Sequence, residues 1–291
     1  ELEVRELLSG TFLDNRPLFK FTAKNPDLST ELAKGIDAAL TELPAKKSEL
    51  PFRLWVDQVR NLSGHGTVVS GTISSGMIRC DEDVQLLPTG IRARVRALKS
   101  HGAVMTQAIA GQRIGINLHR VSIEEVVRGM ALVTPGMLHP ASILNVDIQV
   151  LSKAAKGIAN RQKVKVYLGT SITNAMIVLM EADRIKPGET GFAQIRLLKP
   201  IAALPQDALV ISPLNQNTVI AGGRVLETSH EKFRASKAGA TLPLLRALQS
   251  ADVNTYAERV FESSEGRLIT ARELSVKTRL PYPQFESFIN S

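Results

Sequence analysis

The residues that could bind a metal or attack a substrate are few and scattered. The sequence holds one cysteine (Cys80) and five histidines, which are His65, His101, His119, His139 and His230. No two of the histidines have the paired spacing of a zinc site. There is also no Gly-x-Ser-x-Gly turn to present a nucleophilic serine. We therefore predict no catalytic residue and no metal site, and expect the histidines to be surface or loop residues.

Positive charge, by contrast, is arranged in two regular rows. Arg92, Arg94 and Arg96 alternate with apolar residues, so in a β-strand all three would project from one face. The second row is formed in the same way by Arg161, Lys163 and Lys165. Such rows neutralise nucleic-acid phosphates, although the solvated outer face of an ordinary strand has the same pattern. We interpret both rows as candidate contacts to a phosphate backbone.

The positive charge is concentrated in the middle of the chain. The 291 residues include 36 Lys and Arg and 28 Asp and Glu, which gives a formal charge of +8 and a pI of about 9.7. Residues 51–226 carry 20 basic and 11 acidic side chains, whereas residues 1–50 carry 7 and 9 and residues 227–291 carry 9 and 8. We therefore expect an anionic partner, nucleic acid before membrane, to bind the middle region.

Composition excludes several classes of protein. With 44% hydrophobic and 22% charged residues, the chain can bury cores and is not disordered. A single cysteine excludes a disulfide scaffold and fits a reducing compartment. No apolar run approaches the roughly 18 residues that span a bilayer, and no signal peptide is recognisable. These features predict a cytoplasmic protein without membrane partners.

Residues 51–226 have the pattern of antiparallel β-structure. Short segments of alternating apolar and polar residues are separated by Gly and Pro about every 8–12 residues. The first such segment has Phe52, Leu54 and Val56 at its apolar positions. This spacing is typical of small barrels or sandwiches. We predict a mainly β protein with two consecutive small antiparallel β-barrels, 51–135 and 136–226.

The residues before the barrels have the pattern of an incomplete α/β unit. A short amphipathic helix is predicted over residues 1–9 and a short buried strand over residues 17–21. A second helix is predicted to contain Leu32, Ile36, Leu40 and Leu43, with Asp27 or Ser29 as its N-cap. One strand between two helices cannot bury both faces of a parallel sheet. We therefore interpret residues 1–50 as part of a larger α/β domain.

Helical periodicity returns in residues 227–291. One apolar stripe is formed by Leu242, Leu244, Leu245 and Leu248. Further on, a short helix, a tight turn through residues 277–283 and a second amphipathic helix resemble a helix-turn-helix. We predict that this region is the start of a winged-helix extension, in which the chain stops before a wing could form.

The most specific signature runs from Asp57 to Ile73. It reads Asp-Gln-Val-Arg-Asn-Leu-Ser-Gly-His-Gly-Thr-Val-Val-Ser-Gly-Thr-Ile. By themselves, Gly64 and Gly66 predict only a tight hairpin turn, and since no helix follows them they make a poor phosphate-binding loop. The whole string resembles the start of the second domain of the translational GTPases of the elongation factor Tu group. That start reads roughly Asp-x-Val-Phe-x-Ile-x-Gly-x-Gly-Thr-Val-Val-Thr-Gly.

The same resemblance extends to later segments of the chain. Residues 111–118 and 127–130 are similar to later strands of that second domain. Residues 221–226 are similar to the end of the third domain in the selenocysteine-specific branch of the family. The helical tail supports this branch, because elongation factor Tu ends after its third domain whereas selenocysteine-specific factors continue into winged helices. The sequence is thus identified as a fragment of such a factor.

On this resemblance, residues 1–50 are the remnant of a GTPase domain. Thr22, Ala23 and Lys24 match the loop that contacts the guanine base in such domains. The sequence has no Gly-x-x-x-x-Gly-Lys-Ser/Thr loop, no Asp-x-x-Gly and no Asn-Lys-x-Asp, so it lacks the groups that hold the β- and γ-phosphates and magnesium. We predict that the fragment binds no cofactor and hydrolyses no GTP, and that GTP and magnesium belong to the full-length protein.

The resemblance also implies a pocket for the aminoacyl group of a charged tRNA. In the selenocysteine-specific branch, the pocket is lined by the Asp of the opening motif, a basic residue after it and an Arg ahead of a Gly. The matching residues are Asp57, Gln58 and Arg128. Gln58 departs from the pattern, and Arg60 or His65 could supply the missing basic group. A fixed cation would favour an ionised selenol over a neutral serine hydroxyl; the alternative is that these residues are ordinary charges on a barrel rim.

Selenocysteinyl-tRNA and the ribosome are the partners that the resemblance implies. The two basic rows would contact the acceptor and T arms of the tRNA, and the selenocysteine-insertion mRNA hairpin would bind C-terminal domains absent from this sequence. Two other functions stay open at this point: a general factor for ordinary aminoacyl-tRNA, and a winged-helix DNA-binding regulator with β-rich effector domains. The regulator would explain the tail and the basic charge, but not residues 57–73.

Overall fold

The computed structural model describes residues 1–11, 13–22, 24–43, 50–62, 66–234, 236 and 238–250. The chain divides into two compact units, residues 1–45 and residues 46–291. The predicted helix-turn-helix lies outside the described residues, as do Ala23 and His65.

The first unit contains two helices, α1 (Leu2–Leu8) and α2 (Pro26–Glu42). The N-cap of α2 is Asn25, whose Oδ1 accepts the backbone N–H of Asp27 at 3.0 Å. The predicted caps, Asp27 and Ser29, are therefore wrong by two to four positions. Pro26 occupies the first helical turn, where its missing N–H costs nothing, and this places the start of the helix ahead of both residues.

The strand predicted over residues 17–21 is not formed. The described residues of this unit contain no strand with which it could pair, and an unpaired strand would leave its backbone groups without partners. The ring of Phe19 lies instead against Gly35 of α2, where an added Cβ would be 2.2 Å from the ring. Phe19 thus packs against a helix and not within a sheet, while Phe21 is exposed.

The second unit starts with a β-barrel made of short antiparallel strands. They are β1 (Arg53–Leu62), β2 (Gly66–Ser75), β3 (Met77–Arg79), β4 (Asp83–Leu87), β5 (Arg92–Ser100), β6 (Ala103–Met105), β7 (Gln107–Ile109), β8 (Arg113–His119) and β9 (Ala131–Val133). The main sheet has the order β4-β9-β1-β2-β8-β5-β6, and β4 also pairs with β5, which closes six strands into a ring. Strands β3 and β7 form a separate ribbon.

A second, closed barrel follows. Its strands and the small ribbon beside them are β10 (Ala141–Val150), β11 (Ile158–Ala159), β12 (Lys163–Leu168), β13 (Ser171–Leu179), β14 (Arg184–Ile185), β15 (Thr190–Ile201), β16 (Ala208–Pro213) and β17 (Ala221–Ser229). The barrel order is β10-β15-β13-β12-β16-β17, and β11 pairs with β14. The predicted fold, mainly β with two consecutive small antiparallel barrels, is confirmed.

Strand β1 contributes to the cores of both barrels. Its residues Leu54 and Val56 are fully buried inside the first barrel. Trp55, which points to the opposite side of the strand, belongs to the apolar cluster of the second barrel. Leu87, Ala131 and Val133 of the first barrel join that same cluster. The two barrels therefore share a continuous apolar contact.

Helix α3 (Ala238–Ser250) packs on the outside of the second barrel. Leu245 and Leu248 are buried against Phe192 and Leu226, which confirms the stripe seen in the sequence. Gln249 adds a polar contact, since its Nε2 donates to Asp147 Oδ2 at 3.3 Å.

Candidate functional site

Asp57, the first residue of the signature string, lies at a β-bulge. Strand β1 pairs with β2 through Val56 and Gly71 and then through Gln58 and Ser70, so Asp57 has no partner in the ladder. A bulge releases the extra residue from the in-and-out alternation and re-aims its side chain. The Asp57 side chain is consequently 25% exposed next to a fully buried valine.

Arg113, at the start of β8, binds the Asp57 carboxylate. Its guanidinium donates to both carboxylate oxygens, from Nη2 to Oδ1 at 3.2 Å and from Nη1 to Oδ2. The hydrogen bond, and after it the opposite charge, raises the pKa of Arg113. Arg113 cannot be recognised from the sequence, because its position depends on the register of β8 on β2, in which it faces Thr72.

Gln58 and Arg60 lie two residues apart on β1 and are both exposed. Arg60 Nη2 donates to Gln58 Oε1 at 3.1 Å. A guanidinium thus lies beside position 58, where the family pattern has a basic residue. His65, the other predicted substitute, lies outside the described residues.

Arg128 is exposed in a turn that is hydrogen-bonded to β1. The next residue, Gly129, donates its backbone N–H to the Val56 carbonyl at 3.0 Å, and the Val56 N–H donates to the Met130 carbonyl at 2.9 Å. The turn is therefore fixed to the residue that immediately precedes Asp57. The fold therefore places the backbone of the Arg128 turn next to the strand residue that comes before the bulge.

A hairpin of the second barrel contacts the same part of β1. It is the turn between β12 and β13, in which Thr170 Oγ1 donates to the Val56 carbonyl at 2.7 Å. The preceding Gly169 has a φ of +58°, and an added Cβ would lie 2.4 Å from the Trp55 ring. The second barrel thus contacts β1 at the candidate site through this hairpin.

A buried ion pair joins the barrels nearby. The two terminal guanidinium nitrogens of Arg53, Nη1 and Nη2, each lie 2.7 Å from a carboxylate oxygen of Asp207. The two side chains are only 7% and 10% exposed. The Arg53 guanidinium also lies 5.5 Å from the centre of the Trp55 ring. Ser74 accepts from its Nε at 3.0 Å, so most of the donors of the buried cation are satisfied.

The first basic row lies on β5 with all three arginines exposed. Arg94 is already engaged, since its Nε donates to the Asp81 carbonyl at 2.9 Å and lies 3.8 Å from the Asp81 carboxylate. Arg96 sits at a bulge between Val95 and Ala97. All three arginines are therefore exposed, but Arg94 already has an acidic partner.

In the second basic row, Lys163 and Lys165 lie on β12, whereas Arg161 precedes the strand in a turn with a φ of +61° and so does not share its face as predicted. The row continues across the barrel to Arg196. Lys163 faces Met176 across β12 and β13, and Met176 faces Arg196 on β15. Burial, and after it the positive charge of Arg161, lowers the pKa of Arg196. Lys165 donates to Asn217 Oδ1 at 3.3 Å. Arg196 is missed in the sequence because its neighbours in space are distant in the chain.

The remaining positions are those of the predicted guanine-binding loop in the first unit. Thr22 and Lys24 are exposed in the loop before α2, where the Lys24 backbone N–H donates to Thr22 Oγ1 at 3.4 Å.

In the part of the chain that the structure describes, no group of three or more His, Cys, Asp or Glu could hold a metal ion. Within the same residues, no helix has the length and hydropathy that crossing a membrane requires.

Comparison with known proteins assigns both barrels. The family model described as elongation factor Tu domain 2 matches residues 66–133. The model described as the β-barrel domain of selenocysteine-specific elongation factor matches residues 145–232. The two barrels, in this order along the chain, are those of the translation elongation factors of the Tu-like class.

The relatives give the branch of that class. The chain is 34% identical to the selenocysteine-specific elongation factor of Desulfomicrobium baculatum over 248 residues, which cover 84% of this chain and 39% of the relative. It is 29% identical to that of Haemophilus influenzae over 265 residues, 91% of this chain and 41% of the relative. The chain belongs to the selenocysteine-specific elongation factor family and spans about two fifths of the length of these relatives.

A solved structure agrees on the fold. The crystal structure of a bacterial selenocysteine-specific elongation factor matches 87% of this chain with a TM-score of 0.71. The match has 21% sequence identity and covers 40% of that structure.

Proposed function

We propose that this chain is the tRNA-binding part of a selenocysteine-specific elongation factor, and that the full-length protein delivers selenocysteinyl-tRNA to the ribosome in a GTP-dependent way. The names of the curated relatives and the family match over residues 145–232 support the proposal. The observation that carries it is the arrangement of charges at the Asp57 bulge.

The proposed pocket is positively charged in spite of Asp57. The Asp57 carboxylate is bound by Arg113, whereas two further arginines are exposed: Arg60, three residues further along β1, and Arg128, in the turn that is hydrogen-bonded to Val56. A selenol is ionised at neutral pH, so its anion gains from a fixed guanidinium while the neutral hydroxyl of serine gains much less. The pocket would therefore select selenocysteine by charge.

The outer strands would hold the tRNA itself. We assign the acceptor and T arms to the two basic rows, in which Lys165 is half-buried, together with the half-buried Arg196. The barrels that carry them are placed at residues 51–135 and 136–226. The mRNA hairpin would bind other domains of the full-length protein, which acts with the ribosome in the cytoplasm.

GTP would bind the GTPase domain of the full-length protein. Thr22 and Lys24 lie in the loop before α2, at the place where the family contacts the guanine base. Residues 1–291 contain no phosphate-loop motif, so ligands for the phosphates and for magnesium would come from elsewhere in the protein.

Replacing Arg128 tests the proposal. In the full-length protein with GTP, Arg128→Ala should weaken selenocysteinyl-tRNA binding about tenfold or more, because a hydrogen bond to a charged group contributes about 1.5–3 kcal/mol. Binding of seryl-tRNA should change less than about twofold. Arg184→Ala, which removes an exposed arginine of β14, is the matched control. An equal loss for both aminoacyl groups would contradict the proposed pocket.

A further inference from the structure

The backbone carbonyl of Val56 joins three segments at the candidate pocket. It accepts the Gly129 N–H at 3.0 Å and the Thr170 hydroxyl at 2.7 Å. A carbonyl oxygen has two lone pairs, so these two donors satisfy it completely. The buried Val56 carbonyl of β1 is therefore hydrogen-bonded both to the Arg128 turn and to the hairpin of the second barrel.

The backbones of the turn and the hairpin are also in direct contact. Gly129 has a φ of +96°, and an added Cβ would be 3.0 Å from the Cα of Ser171 and 3.4 Å from the Thr170 carbonyl. On the other side of the hairpin, Gly169 leaves no room for a Cβ against Trp55. Glycine at both positions permits this approach, and the hairpin is held between β1 and the Arg128 turn.

The hairpin is a rigid support for this contact. The ladder of β12 and β13 continues in register to the pair of Leu168 and Ser171, so only Gly169 and Thr170 form the turn. Both strands belong to the closed second barrel. The Thr170 hydroxyl is therefore delivered to Val56 from a fixed position.

We propose that Thr170 is a positioning residue for the pocket of the first barrel, acting through the Val56 carbonyl to fix the Arg128 turn beside the Asp57 bulge. The selectivity of the first barrel then depends on a hydroxyl that the second barrel supplies. The inference rests on the proposed function for its link to selenocysteine, and on the three hydrogen-bonded segments for its geometry.

The test uses three variants of the full-length protein. Thr170→Val keeps the β-branched shape and removes the hydroxyl, whereas Thr170→Ser keeps the hydroxyl. Thr190→Val makes the same change at an exposed threonine of the second barrel and is the control. Two quantities are measured: the ratio of seryl-tRNA to selenocysteinyl-tRNA dissociation constants, and hydrogen exchange in the peptide that contains residues 127–130.

We expect Thr170→Val to lower the ratio about threefold to tenfold and to speed exchange at residues 127–130 by a similar factor, as the loss of one net hydrogen bond implies. Thr170→Ser and Thr190→Val should retain the wild-type ratio and exchange. The proposal is overturned if Thr170→Val matches the wild type in exchange, if Thr170→Ser behaves like Thr170→Val, or if both tRNAs lose affinity equally. A wild-type protein that does not discriminate would contradict the proposed function instead, and the exchange data would still decide the role of Thr170.

Discussion

Asp57 places a negative charge in a pocket that is proposed to bind an anion, and Arg113 removes this conflict. The bidentate contact neutralises the carboxylate and fixes its direction at the bulge. The pair is partly exposed, so its contribution to folding is small. We therefore expect the importance of Arg113 to lie in ligand selection.

The variant Arg113→Gln should weaken selenocysteinyl-tRNA binding about tenfold, because it leaves the Asp57 anion uncompensated beside the selenolate. Seryl-tRNA binding should change little, since the serine side chain is neutral. Equilibrium binding to the full-length protein measures both. The double variant Asp57→Asn with Arg113→Gln should recover most of the loss; failure to recover would show that Arg113 acts in some way other than by neutralising Asp57.

At the residue scale, the sequence indicated candidate positions but not the side chains and turns that contact them. Asp57, Gln58 and Arg128 could be selected because they match positions in a motif. Arg113 and Thr170 could not, since each contacts β1 from a strand or turn whose register is set by tertiary structure. The predicted helix cap was wrong for a local reason: α2 begins at Pro26, so its N-cap is Asn25.

At the scale of single elements, the three arginines of β5 differ in how much positive charge is available to bind RNA phosphates. On β5, Arg92 and Arg96 are exposed, while Arg94 is bound to the carbonyl and carboxylate of Asp81. An arginine that already has an acidic partner releases fewer counterions when RNA binds. The row should therefore act as about two free charges and not three.

Replacing Arg92, Arg94 and Arg96 together by alanine should reduce the slope of log affinity against log salt by about two units for tRNA. Fluorescence titration at several salt concentrations measures the slope. A variant that removes Arg120, Arg184 and Lys186, which are exposed outside the proposed rows, is the control for lost net charge. An unchanged slope in the β5 variant would remove this row from the tRNA interface.

The barrel strands were predictable because their alternation is a local property that burial on one face imposes. Residues 52, 54 and 56 are buried inside the first barrel as the pattern requires, whereas Arg53 and Trp55, on the opposite face, are buried by the second barrel, which the pattern does not predict. The segment 17–21 has similar residue types, yet it forms no strand in the described unit because strand formation also requires a neighbour. Composition therefore indicates which segments can form strands, and the available partners decide which do.

At the scale of the whole molecule, one apolar and ionic interface holds the two barrels together. Trp55 enters the core of the second barrel, and the ion pair of Arg53 with Asp207 is buried beside it. A pocket of the first barrel that relies on a hydroxyl of the second needs this interface to be rigid. The sequence predicted the two barrels but not this interface, since neither the charge of Arg53 nor that of Asp207 indicates burial.

Asp207→Ala should lower the free energy of unfolding by about 3–5 kcal/mol, because it leaves the Arg53 cation buried without its partner. Denaturant unfolding of the 291-residue chain measures the change. Asp83→Ala, at an exposed position of β4, is the control and should cost less than about 1 kcal/mol. A loss below that value for Asp207→Ala would mean that the ion pair does not hold the barrels together.

The central claim is that the pocket at Asp57 selects the selenocysteinyl group by charge. Its most direct test is the ratio of dissociation constants of the full-length, GTP-bound protein for the same tRNA charged with serine or with selenocysteine. Selection by charge predicts that selenocysteinyl-tRNA binds at least about tenfold more tightly, which is about 1.4 kcal/mol. Equal affinities would contradict it and would favour a factor for ordinary aminoacyl-tRNA.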